Sequence, residues 1–185
     1  MQYSNPSKRQ VKMRHPCDSI EYFHKEAQQI MKTRHQLIAP VSGRIIALGQ
    51  VPDPIFSEKL TGDGLAILAN STQVVAPCDG EITLFFDTKH AFAITTDDGV
   101  QILVHVGLDT ILLEGVGIKA LHKRGDYVKA GTPILELDLE FLKRRRINLI
   151  SPVLIVNYDK VAELLPHESG DAVEAGEDCV LEYAV

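Results

Sequence analysis

His90 and His105 stand fifteen residues apart in the stretch DTKHAFAITTDDGVQILVHVGLDT. An imidazole has an unperturbed pKa of about 6.5, so it is mostly neutral at cell pH, and a neutral ring nitrogen is both a nucleophile and a metal ligand. Two such rings on one face, with the Thr88 hydroxyl beside them, open three readings. The rings are packed core histidines without chemistry. They are ligands of a zinc ion, although a catalytic zinc takes three protein ligands. Or one ring carries a phosphoryl group while the other donates to its oxygens. In that case backbone N–H groups near Gly107 add to the stabilisation, and the Thr88 hydroxyl fixes the second ring's tautomer.

A β-hairpin must position these rings. Apolar and polar residues alternate in places on both sides of Asp98-Gly99, a strong turn pair. With Asp98 and Gly99 as the two loop residues, Asp97 pairs with Val100, His90 faces Gly107 and His105 faces Phe92. Both rings then share one sheet face with Thr88, as diagonal neighbours with Cβ atoms about 7 Å apart. A three-residue loop, Asp97-Asp98-Gly99, moves the register by one and sends the rings to opposite faces.

The chain has 185 residues, 45% hydrophobic, with few aromatics and no Trp. That length suits one domain with a sizeable core. Short apolar runs cut by Gly, Pro and Asp predict an all-β fold, closing as an antiparallel sandwich or barrel with short helical turns. No apolar run reaches membrane-span length and no signal peptide opens the chain. Cys17, Cys78 and Cys179 form no CxxC and read as reduced thiols, which predicts a cytoplasmic protein. Residues 1–35 carry seven Lys/Arg and three Asp/Glu, +4, against −6 for the chain, which leaves −10 on the rest. An acidic body argues against nucleic acid and suits a partner with a basic docking face.

Residues 1–35 read as a flexible basic tail. Asp18 and Glu21 resemble a capping box, and Ile20, Phe23, Ala27, Ile30 and Met31 recur at helical spacing, which predicts a short amphipathic helix that touches a membrane or the body. A marginal solvated helix is the alternative. The body spans 36–185. It holds an internal echo, IAPVSGRII at 38–46 and VAPCDGEIT at 75–83, which points to a duplicated strand–turn–strand unit. Strands are predicted at 65–69, 81–86, 90–96, 100–106, 133–138, 152–156 and 179–184, with turns at Asp63-Gly64, Asp79-Gly80, Arg124-Gly125 and Ala130-Gly131. Short helices are predicted at 139–147 and 158–165. The Lys143–Arg146 run reads as a solvated face.

Taken in order, VPDPIFSEKLTGDGLAI, VVAPCDGEI, KHAF, VHVGLDT, VKAGTPILELDL and SPVLIVN resemble the glucose-type enzyme IIA of the bacterial phosphoenolpyruvate-dependent sugar phosphotransferase system, over about residues 36–185. The resemblance implies an antiparallel β-sandwich built from a duplicated hybrid motif, and a phosphocarrier that needs no cofactor. It implies a histidine-containing donor, HPr, and an acceptor IIB domain of a sugar permease. Any membrane association is then indirect, through the permease or the tail. It also implies regulatory protein targets for the unphosphorylated form. His105 matches the phosphoacceptor, His90 the histidine that supports the phosphoryl group, and Thr88 the hydroxyl that orients it. Ile55, Phe56, Phe86 and Phe92 match an apolar collar, and Asp53 and Asp109 match acids that meet a basic partner. Leu103 and Val106 stand where the family has aromatics, a departure that keeps the chemistry and leaves the exact partner preference open. Pro54 stiffens the loop between the first acid and the collar. No metal is required, though His90 and His105 could bind adventitious or regulatory zinc.

Two alternatives are weighed against this. Lysostaphin-type zinc hydrolases of related β-architecture place ligands as H-x-x-x-D and H-x-H. Here Ile94 and Gly107 occupy the second positions, and both patterns fail. A biotinyl or lipoyl carrier presents a modified lysine at a hairpin tip, where this chain has Asp-Asp-Gly.

Overall fold

The computed structural model describes residues 34–185. The expected helix at Ile20–Met31 lies outside the described residues. Arg34 and His35, assigned to the tail from composition, already belong to the first strand.

Among the described residues the chain forms fourteen strands. The first half holds β1 (Arg34–Ile38), β2 (Gly43–Ala47), β3 (Asp63–Ala69), β4 (Gln73–Val75), β5 (Gly80–Phe85), β6 (Ala91–Thr95) and β7 (Gln101–His105). The second holds β8 (Ile118–Ala120), β9 (Tyr127–Val128), β10 (Pro133–Leu137), β11 (Ile150–Ile155), β12 (Glu163–Pro166), β13 (Ala172–Val173) and β14 (Cys179–Ala184). The helices are short, α1 (Pro54–Ser57) and α2 (Leu139–Arg144), with 3-10 turns at 48–50, 110–113 and 158–160. An eight-stranded sheet runs β13-β2-β3-β11-β7-β6-β5-β9, and two three-stranded sheets run β1-β14-β12 and β4-β10-β8. Every strand pair is antiparallel. The main core joins side chains of all three sheets, among them Leu37, Ile67, Phe92, Ile102, Leu135 and Leu181.

The internal echo is a structural repeat. Ile38 N–H bonds to Pro77 O at 2.9 Å, and Val75 N–H bonds to Pro40 O at 2.8 Å, so each copy of the Ala-Pro turn closes on the other. The partner strands repeat as well. β10 crosses β4 with Leu135 opposite Val74, and β14 crosses β1 with Leu181 opposite Leu37, each with a register shift one step away. VKAG at 128–131 and VEAG at 173–176 mark this second echo in the sequence. Gly131 and Gly176 occupy matching places, donating to Ala76 O and Ala39 O. The glycine of each first echo lies under a neighbouring strand. A Cβ on Gly43 would meet Leu68 O at 2.1 Å, and one on Gly80 would meet Thr95 O at 2.4 Å.

Three expectations are corrected. The hairpin loop has three residues, Asp97-Asp98-Gly99. Thr96 N–H donates to Val100 O, Val100 N–H donates to the Thr96 hydroxyl, the Thr96 carbonyl accepts from Gly99 N–H, and Gly99 takes φ +81 to close the turn. The register is therefore Ala91 opposite His105 and Phe92 opposite Val104, one step from the two-residue expectation. Phe92 turns into the main core, fully buried, rather than into the collar. The segment 158–165 is a 3-10 turn followed by β12, because Glu163–Pro166 finds a partner in β14 that periodicity cannot see. Asp63-Gly64 opens β3 rather than forming a turn; a Cβ on Gly64 would sit 2.2 Å from Val153 O.

Gly43→Ala should lower stability by about 3 kcal/mol, because the added methyl meets backbone that cannot yield without parting β2 from β3. Gly49→Ala, with nothing within 4 Å of the new carbon, is the control and should be near neutral. Urea unfolding of both variants checks the contrast.

Candidate active site

The outer face of the eight-stranded sheet carries a second, smaller core. Leu48, Val51, Phe56, Ala66 and Leu154 form it, with Ile46, Leu103, Leu108 and Ile150 packed against it. The connection from β2 to β3 makes this cover. Asp53 caps α1 by accepting from Ile55 N–H at 2.9 Å, and Pro54 occupies the first helical turn, where a missing N–H costs nothing. The cap aims Ile55 outward and buries Phe56. Beside this cover opens a cleft of about 810 Å³ with mostly apolar walls, lined by Asp53, Ile55, Phe56, Phe86, His90, Leu103 and His105 among others.

His105 ends β7 on the cleft side of the sheet. Its paired residue Ala91 and neighbours Ala93 and Leu103 line the same cleft, while Phe92, Ile94, Val104 and Val106 point into the core. In this register strict alternation would put His90 on the core side. His90 escapes because it lies just before β6, after Lys89, which takes the left-handed φ of +56. Its carbonyl still accepts from Val106 N–H at 2.7 Å, while its ring turns into the cleft. The two rings stand with centroids 5.1 Å apart and planes at 64°. Phe56 meets His105 edge-on at 5.2 Å, and Phe86 lies 4.6 Å from His90. Thr88 Oγ1 and His90 Nδ1 are 2.5 Å apart.

Of the residues named from the sequence, His90, His105, Asp53, Ile55, Phe56, Phe86 and Leu103 come together at this cleft. Thr88 reaches it through His90. Asp109 is exposed at the start of the 3-10 turn 110–113, between the cleft-lining Leu108 and Ile111. Phe92 and Val106 face away, into the main core.

The loop after His105 rests on residues without a sequence-based role. Gly107 has φ +65, and a Cβ there would meet Asn148 O at 2.8 Å. Its N–H donates to the buried Ser151 hydroxyl at 3.0 Å, and Ser151 donates on to Leu149 O. The buried Thr110 hydroxyl donates back to Val106 O. Thr110 and Ser151 lie within VHVGLDT and SPVLIVN, but nothing local marks them as braces.

Burial pushes the His105 ring down to about 4, the neighbouring His90 adds to the shift, and the Gly107 backbone and the Asp53 charge oppose it. Burial also lowers His90. Both rings are therefore neutral at neutral pH. His105 Nδ1 is buried and has no hydrogen bond of good geometry, although the Gly107 backbone is near enough to favour a proton on the ring. Among the described residues no third His, Cys or carboxylate joins the two imidazoles within 4.8 Å, so the donor set does not make a catalytic zinc centre.

Known proteins are similar in sequence and fold. The family described as phosphoenolpyruvate-dependent sugar phosphotransferase system, EIIA 1, matches residues 35–161. The glucose-specific EIIA component of Borreliella burgdorferi is 46% identical over 128 residues, covering 69% of this chain and 68% of that protein. The N-acetylglucosamine-specific EIICBA component of Klebsiella pneumoniae is 45% identical over 142 residues, 77% of this chain, which spans 22% of that longer protein. The solved structure of glucose permease IIA from Mycoplasma capricolum matches with a TM-score of 0.75 at 35% identity, covering 81% of this chain and 96% of that one. The chain belongs to the EIIA 1 family of the sugar phosphotransferase system.

The lowered His105 value sets a pH signature. The unfolded chain binds a proton near pH 6.5 and the folded site only near pH 4. Stability is then constant above about pH 6.5 and falls as the pH drops towards 4, by no more than about 3 kcal/mol from this group. Imidazole NMR titration should place one histidine near 4, and His105→Gln should remove that resonance. A His105 value at or above 6.5 would contradict the burial described.

Proposed function

We propose that His105 accepts a phosphoryl group from phospho-HPr and passes it to the IIB domain of a sugar permease. One observation carries this reading: a neutral imidazole with its Nδ1 buried, facing a second neutral imidazole across an apolar cleft. With Nδ1 enclosed, the lone pair that can reach an incoming phosphorus is on Nε2. It forms the new N–P bond as the donor's P–N bond breaks, and the released electron pair returns to the donor ring. Neutrality keeps that lone pair available at cell pH. A Thr88 hydroxyl that donates to His90 Nδ1 leaves the proton on His90 Nε2, where it can donate to a phosphoryl oxygen.

The surroundings support a docking role. Ile55, Phe86, Ile111 and Leu112 are exposed apolar side chains around or beside the cleft, with Asp53 and Asp109 among them. An apolar disc with acids at its edge suits a partner with a basic, partly apolar face, and docking excludes water from the labile N–P bond. The relatives named EIICBA hold an A component in one chain with others, which supports IIB as the acceptor. Among the described residues no helix is long and apolar enough to cross a membrane. In this role the chain works on the cytoplasmic side, reaching the membrane through the permease.

His105→Gln should abolish acceptance from phospho-HPr. His90→Gln should keep partial acceptance and slow transfer to IIB about a hundredfold, the effect of losing one positioned donor worth about 3 kcal/mol. Rapid-quench kinetics of the two half-reactions check this. Phosphate found on His90 in the His105→Gln protein would reverse the roles, and wild-type rates in both would make the pair structural.

A further inference from the structure

Away from the cleft, three metal-ligating side chains converge on the sheet β1-β14-β12. One ligand atom each from His167, Cys179 and Glu182 lies within 4.8 Å of the others, and among the described residues no other three His, Cys or acidic groups do so. The backbone accounts for the convergence. β14 pairs with β1 as Leu37 opposite Leu181 and Ile38 opposite Cys179, so Val180 is an extra, bulged residue. Regular alternation would put Cys179 and Glu182 on opposite faces. The bulge re-aims Cys179, and both side chains end partly exposed, with Val180 and Leu181 buried between them. β12 lies alongside with Leu165 opposite Glu182. His167, just past its end, stays tied to β14 by its N–H to Val180 O at 2.8 Å.

We propose that His167, Cys179 and Glu182 form a zinc site that staples β12 to β14. Imidazole, thiolate and carboxylate are the donors zinc takes. In a tetrahedral site such donors stand about 3.5 Å apart, so closing the set needs side-chain movements of about 1 Å. Three protein ligands leave one position for water. Glu182 is already held from β1: Gln36 donates to Oε1 at 3.2 Å and Arg34 to Oε2 at 3.4 Å. These bonds orient the carboxylate and leave it lone pairs for a metal. Burial pushes the Cys179 thiol up and Glu182 adds to the shift, against the Leu181 backbone. Zinc must therefore displace a thiol proton, and binding tightens as pH rises.

The test uses the full chain carrying His105→Gln, which removes the paired imidazoles as a competing site. Cobalt(II) should give a thiolate-to-metal absorption band that saturates at one equivalent and is removed by zinc. Zinc at a hundredfold excess over its Kd should raise Tm by about 5 °C. Cys179→Ser should abolish the band and the rise in Tm, and His167→Gln, an exposed substitution that leaves the fold intact, should weaken affinity at least about tenfold. In the otherwise wild-type chain these variants should accept phosphate on His105 at the normal rate. A band that survives Cys179→Ser, affinity unchanged by His167→Gln, or no band in the parent protein would overturn the site.

Discussion

Burial opposes a charge on either of the two imidazoles that share the apolar cleft, and their mutual repulsion opposes a charge on both. With centroids 5.1 Å apart and Phe56 and Phe86 against them, a proton on either ring would be desolvated and would repel a proton on the other. Each nearby feature bears on that condition. Phe56 is buried because Asp53 caps a one-turn helix. His105 stays on the cleft face because β7 holds its register between β6 and β11. The loop that follows is pinned by Ser151 and Thr110, which fixes the backbone that carries the ring. Asp53 is the counterweight, an acid close enough to favour the charged ring without overcoming burial.

The duplicated framework explains how a site can be exacting on so regular a scaffold. The two Ala-Pro turns bond reciprocally, the crossing strands repeat with the same register shift, and the paired glycines admit neighbouring strands at matching places. The cleft breaks this symmetry. The first copy is followed by the long excursion that carries α1, and the second by the β5–β6 turn that carries Thr88 and His90. Symmetry supplies rigidity, and these unequal connections supply the chemistry.

Much of this was legible in the residues. The strand positions, the first echo and both histidines follow from alternation, turn pairs and motif resemblance. The failures have local physical causes. Asp98-Gly99 serves a two-residue and a three-residue loop alike, and the choice depends on Thr96 pairing with Val100, which no composition reports. That single step decides whether Phe92 lines the site or fills the core. The shared face of the two rings does not come from the alternation that predicts it. The His90 ring arrives in the cleft through the left-handed Lys89 and not through strand alternation, and a lysine carries no sequence signal for that conformation. β12 depends on a partner in β14 that periodicity cannot show. Ser151 and Thr110 look like ordinary hydroxyls until the loop they brace is seen.

The Asp97-Asp98-Gly99 loop lies at the far end of the hairpin from the reacting ring, and its side chains reach neither histidine. Yet its length sets the register of β6 against β7. Substitutions at Asp97 or Asp98 remove local contacts, Asp98 with Thr96 and His35 and Asp97 with Tyr127, while adding or removing one residue would invert β6 against β7 and turn either Phe92 or His105 out of its place. Among descendants of this chain, the tip should drift in letters and stay fixed in count. A gap in an alignment there would be a warning that the cleft has lost its geometry.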